Sequence, residues 1–235
     1  MTLIMIPGAW AGEWLYDSVK DRLAGHCGAQ ALTLPGLEKG STNPNITLME
    51  HVDFVVNYVQ DNDISRVTLV GHSYSGIVVG LAALRMKEVI SHCIYIEAFL
   101  PEDGSTLLDI AGLPVEEELS TIKKHDGWWP PPTAEELNAQ GSLHRSVMDL
   151  LLKRNRPHPG GTITERVSCS SIDLLAEVPS TFLGNDAWLN SRRNVPLISK
   201  LQTCDLWEFR SMTEGHWPML SSPARIAQEL ASKCT

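Results

Sequence analysis

No stretch of this sequence approaches the ~20 consecutive apolar residues that a bilayer-spanning helix needs. The opening run LIMI is too short for a secretory h-region, lacks a basic flank and leads straight into Pro7-Gly8. It therefore reads as a buried strand. Basic residues are scarce: 19 Lys and Arg stand against 28 Asp and Glu, a formal net charge of -9. The nearest basic clusters, Lys123-Lys124 and Arg192-Arg193, are far too short to follow a phosphate backbone. Neither nucleic acid nor a membrane surface is expected as a partner. The five cysteines (Cys27, Cys93, Cys169, Cys204 and Cys234) are scattered, with no C-x-x-C spacing. That pattern indicates neither a zinc site nor a disulfide framework, and reads as reduced thiols in a cytoplasmic protein. Internal repeats and low-complexity tracts are absent as well.

What is present is an alternation of short apolar runs and amphipathic segments over 235 residues, 43% of them hydrophobic. TLIMIPG reads as a strand, and EWLYDSVKDRLA as a helix with Trp14, Leu15, Val19 and Leu23 on one face. AQALTLPG is a second strand. Thr47 with Glu50 three residues on predicts a capped helix start, and Thr133 with Glu136 predicts another. RVTLVGHSYSGIVVGLAALRMK is a strand, a sharp turn and a helix; SHCIYIEAF, STFLGND and DLWEFRSM are further strands. A last helix begins at Ser222-Pro223. The predicted fold is α/β, a mostly parallel sheet with helices on both faces. The interval between the strand ending near Phe99 and that starting near Thr181 is several times longer than a crossover helix needs. Residues 102–175 are therefore expected to form a mostly helical lid inserted in one domain spanning 1–235, over the strand ends where ligands bind.

GHSYSG carries the chemistry. A strand–turn–helix of this kind exposes Ser73 above the sheet and turns the following N–H toward a developing oxyanion. Gly71 satisfies one close approach; Ser75 stands where a second glycine is usual, with Gly76 after it. A serine hydroxyl needs a base, an orienting acid and two oxyanion donors. His216 in EGHWPM follows the last strand, after Gly215, and is the expected base. Asp186 after the penultimate strand is the first choice of acid, with Glu97 at the end of IYIE as the alternative. The oxyanion donors are expected from Tyr74 and, in the first turn, Ala9, beside a permissive Gly8. Trp10, Trp128, Trp129, Trp188 and Trp217 fall in the first turn, the lid and the catalytic loops, and imply an aromatic-lined cleft. The remaining histidines show no partner pattern; His72 is expected to point away from Ser73, and His158 to pack within the lid.

On these residues the sequence resembles an α/β-hydrolase over essentially its whole length. More narrowly it is similar to the small-esterase branch that holds bacterial and pyrethroid-type esterases, plant methylesterases and hydroxynitrile lyases; WWPPP and RNRPHPGG look like lid stretches of the bacterial members. The resemblance implies a Ser73–Asp186–His216 triad, Ala9 and Tyr74 as oxyanion donors, no metal or organic cofactor, and a small to medium hydrophobic carboxylic ester as substrate. The departures are Pro7-Gly8 for the usual His-Gly, Ala11 for a further histidine, and Ser75 for glycine. Lyases of the branch carry a lysine after the catalytic histidine, where this chain has Trp217. Two other readings of the scaffold stay open at this level: a cofactor-free lyase or oxygenase using His216 as base, and a hydrophobic-ligand-binding protein with little turnover.

Overall fold

The computed structural model describes residues 1–140, 143–169, 171–189 and 195–234; Arg192 and Arg193 lie outside them. Six strands form one parallel sheet in the order β2-β1-β3-β4-β7-β8. They are β1 Thr2–Ile6, β2 Gly28–Ala31, β3 Val67–His72, β4 Ile90–Ile96, β7 Ser180–Gly184 and β8 Trp207–Ser211. Every residue of β3 is buried, as a central strand covered on both faces requires.

Residue alternation sends the two faces of β1 into different cores. Ile4 and Ile6 join Val52 and Val55 of α2 (Leu48–Asp61) and Ile77 and Val78 of α3 (Ser75–Arg85). Leu3 and Met5 meet Val19 and Leu23 of α1 (Asp17–Leu23) and Ile226 and Leu230 of α12 (Pro223–Ala231). The expected apolar face of the first helical segment is buried, but Trp14 and Leu15 lie on a 3-10 turn, Glu13–Tyr16, that precedes α1. Both predicted capping boxes form, at Thr47–Glu50 and Thr133–Glu136.

The parallel register aligns the strand ends. Ile6 pairs with Gly71, His72 with Ile96, and Ile96 with Leu183. The chain leaves β2 across β1 to reach β3, so the order of winding reverses between β1 and β3, where a crevice opens. Between β4 and β7 lie α4 Leu107–Ala111, α5 Val115–Lys124, α6 Ala134–Ala139, α7 Arg145–Arg154 and α8 Gly160–Thr164. A two-stranded ribbon of β5 (Trp128–Trp129) and β6 (His158–Pro159) joins them, an element the apolar pattern did not announce because each strand has only two residues. Three further short helices, α9 Asp186–Leu189, α10 Val195–Leu201 and α11 Pro218–Ser221, follow β7 and β8.

One expectation is corrected. Cys27 and Cys234 form a disulfide with their Cα atoms 5.8 Å apart, 207 residues distant in sequence. The pairing follows from the packing of α1 against α12, which carries both cysteines to one edge; no local spacing could signal it. Cys93, Cys169 and Cys204 are free thiols. Among the described residues no helix is long and apolar enough to cross a membrane.

Candidate active site

The elbow after β3 is built by close approach. Ser73 adopts φ +53°, a left-handed conformation that costs a non-glycine residue about 1–2 kcal/mol. Its backbone is fixed from both sides: Ser73 N–H donates to Ile96 O at 3.2 Å, and Ser73 O accepts from Phe99 N at 3.0 Å and Gly76 N at 3.1 Å. A Cβ at Gly71 would lie 2.8 Å from Ser75 O, and one at Gly76 would lie 2.4 Å from Phe99 O. The steric demand for glycine thus falls on 71 and 76. Position 75 is free to carry a side chain, and Ser75, fully buried, donates its hydroxyl to Pro7 O.

His216 lies in the loop past β8, with its side chain 13% exposed. Its Nδ1 is 3.8 Å from Oε2 of Glu97, and the Glu97 side chain is 1% exposed. Glu97, the first residue after β4, has φ +46°. Its carboxylate also accepts from Asn185 N (2.6 Å) and Asn185 Nδ2 (3.3 Å). Asp186, the acid favoured from sequence, is exposed and accepts from Ser211 Oγ at 2.9 Å. The reason is local: Asn185 Oδ1 accepts from Trp188 N, capping a short helix whose first residue, Asp186, is thereby exposed. The carboxylate that meets the imidazole is therefore the alternative one, Glu97. Among the described residues the Ser73 hydroxyl makes no hydrogen bond to His216; both line one cavity.

The first turn, Pro7 to Trp10, reaches that cavity at Ala9 and Trp10. A Cβ on Gly8 would lie 2.8 Å from Ser73 Cβ and 2.9 Å from His72 Nδ1, so only glycine lets the turn sit against the elbow. Gly8 N–H donates to His72 Nδ1 and Trp10 N–H to His158 Nδ1, each at 3.3 Å. Among the described residues no group accepts from the N–H of Ala9 or of Tyr74. The cavity holds about 950 Å³, and among the described residues no lysine or arginine lines it.

Strands leading into a serine elbow, a late histidine and a helical insertion between β4 and β7 describe one architecture, and residues 3–229 match the Alpha/beta hydrolase family. The chain belongs to that family. This alpha/beta hydrolase is 30% identical over 151 residues to the carbendazim hydrolyzing esterase of Nocardioides sp. (strain SG-4G), a match covering 57% of this chain and 61% of that protein. It is 31% identical over 104 residues to the putative methylesterase 19 of Arabidopsis thaliana, covering 42% of this chain and 40% of the other. Both matches span less than two thirds of the relative. In fold it is similar to an extracellular alpha/beta-hydrolase from a Paenibacillus species, with TM-score 0.82 and 19% identity over 99% of this chain and 98% of that one.

The tryptophans of this alpha/beta hydrolase divide. Trp10, Trp129 and Trp188 line the cavity, with the Trp10 and Trp129 rings 4.2 Å apart. Trp128 does not line it, and Trp217 is buried behind the histidines, 5.1 Å from the His72 ring and 5.4 Å from that of His216. Trp217 Nε1 donates to Gln140 Oε1 at 3.0 Å, which pins the His216 loop to the helical insertion between β4 and β7.

Three buried histidines stand under the site, and all have the same tautomer. His72 Nε2–H donates to His216 O at 2.8 Å, His51 Nε2–H to Pro35 O at 2.8 Å, and His158 Nε2–H to Thr162 Oγ1 at 2.8 Å. The partners fix these roles, because Pro35 O and His216 O can only accept and the Thr162 proton goes to Pro159 O. Each Nδ1 is then an acceptor, from Gly8 N–H, the Tyr74 hydroxyl and Trp10 N–H respectively. Burial drives the pKa of His51 down to about 4, and those of His72 and His158 well below the usual range; His216 beside His72 and His51 beside His158 push the same way. The sequence reading gave His72 and His158 no role in the site and did not single out Asn185. Only Asn185 left a trace there, as an Asn before an acidic residue at a strand end, the pattern of a helix cap.

Proposed function

We propose that this chain hydrolyses a small to medium hydrophobic carboxylic ester through an acyl-enzyme, with Ser73 as nucleophile, His216 as base and Glu97 as the orienting acid. The observation that carries the proposal is the meeting, at one cavity, of Ser73 on a strained elbow, His216 against a buried carboxylate, and two uncommitted N–H donors on Ala9 and Tyr74. His216 takes the Ser73 proton as the hydroxyl attacks the carbonyl, then passes it to the leaving alcohol. Glu97 holds the Nδ1–H tautomer and stabilises the imidazolium. Its 3.8 Å separation and the unmade Ser73–His216 bond are geometries that tighten when substrate engages. The Ala9 and Tyr74 N–H groups receive the oxyanion. Trp10, Trp129 and Trp188 in the lining favour an apolar, uncharged acyl or alkyl group. The likeness to a carbendazim hydrolyzing esterase and a putative methylesterase supports the reaction class.

Intact-protein mass spectrometry after exposure to a fluorophosphonate tests it. The native protein is expected to take up one label and Ser73→Ala none, with ester turnover lost by several orders of magnitude in the variant. Unlabelled native protein, or turnover that survives Ser73→Ala, would refute the nucleophile.

A further inference from the structure

The first turn is held by four hydrogen bonds from two parts of the fold. The elbow side supplies Ser75, whose hydroxyl bonds Pro7 O, and His72, whose Nδ1 takes Gly8 N–H at 3.3 Å. The lid side supplies Arg156, whose N–H reaches Trp10 O at 2.8 Å, and His158, whose Nδ1 takes Trp10 N–H at 3.3 Å. Trp10 has φ +63°, which a tryptophan adopts only when its surroundings hold it there. Its indole adds a bond from Nε1 to Trp129 O at 3.3 Å. Between the two captured amides lies Ala9.

We propose that His72 and His158 are positioning residues that clamp the first turn from either side. Each neutral imidazole takes one flanking backbone N–H, and the Ala9 N–H between them is left as the donor presented to the cavity. This rests on the hydrolase reading above, in which Ala9 is an oxyanion donor, and it explains two features that reading leaves aside. One is the matching tautomer of two histidines that do not line the cavity. The other is the bonding of residues 156–158 of the inserted segment to both polar atoms of the Trp10 backbone, which makes docking of that segment a condition for the turn's shape.

Paired substitutions separate the two nitrogens. Asparagine can place its carbonyl where Nδ1 was, whereas glutamine can place its amide where Nε2 was and leaves the Nδ1 position empty. The expected result is that His158→Asn keeps kcat within about threefold of the native value, while His158→Gln loses about 10- to 100-fold in kcat with KM within about twofold. His72→Asn and His72→Gln should divide in the same way. Amide hydrogen exchange provides a readout that needs no turnover: Trp10 N–H should exchange at least about tenfold faster in His158→Gln and near the native rate in His158→Asn. Equal losses in Asn and Gln variants would overturn the clamp and leave only packing. Faster exchange without loss of kcat would overturn its role in positioning. Failure of the native protein to react with a fluorophosphonate would count against the hydrolase reading instead, and the exchange pattern would then decide the clamp on its own. Should the His72 variants fail to fold, the pair at His158 stands alone as the test.

Discussion

The ends of β4 and β7 lie side by side, with Ile96 paired to Leu183, and each is followed by a carboxylate within three residues. Their fates are opposite. Glu97 is sealed in, bonded twice by Asn185 and facing His216; Asp186 is exposed and bonded to Ser211. Proximity to a strand end is therefore not enough to bring a carboxylate to the imidazole. What separates the two is the backbone that follows: an irregular step with positive φ at Glu97, and a capped helix start at Asn185 that exposes Asp186. Asn185 serves both, donating to one carboxylate while its own carbonyl caps the helix that carries the other.

The largest expected effect sharpens that contrast. Glu97→Gln should lower kcat by about 1000-fold with a modest change in KM, because the imidazole loses its charge partner and tautomer control. Steady-state kinetics on a simple aryl ester would show it. A smaller effect comes from the sealed side of the molecule as a whole. His51 is neutral when folded, with a pKa near 4, against 6.5 when unfolded. Below pH 6.5 the unfolded chain binds a proton that the folded one does not, so its share of stability is fully present above that pH and is lost as the pH falls toward 4. The loss amounts to about 2 kcal/mol by pH 5. Denaturant unfolding at pH 7 and pH 5 should show the decline, and His51→Gln should flatten it; an unchanged slope would remove His51 from the account. The smallest effect belongs to the exposed carboxylate. Asp186→Asn should leave kcat within about threefold, since it removes only a surface bond to Ser211. Were Asp186→Asn to cost more than Glu97→Gln, the contrast between the two strand ends would be reversed.

Much of this was legible in the linear pattern. The apolar runs located the sheet strands because a central parallel strand is buried on both faces, and Thr47 and Thr133 marked helix starts because a cap is local chemistry. The elbow could be read for the same reason, since strand, turn and helix are contiguous there. Ser75 was legible only as a departure; its bond to Pro7 O is a contact across 68 residues. The β5–β6 ribbon, the Cys27–Cys234 bond and the two imidazoles on the first turn are likewise products of long-range packing with no periodic trace.

The sequence by itself determined the class of the fold, the elbow serine and the late histidine, because periodicity, steric need for small residues and position after a strand are encoded in neighbours. Only the tertiary structure decided which carboxylate meets His216, which tryptophans reach the cavity and what holds the first turn. Those outcomes depend on strand register and on backbone direction one residue beyond a strand end, where a single cap turns a side chain from the interior to solvent.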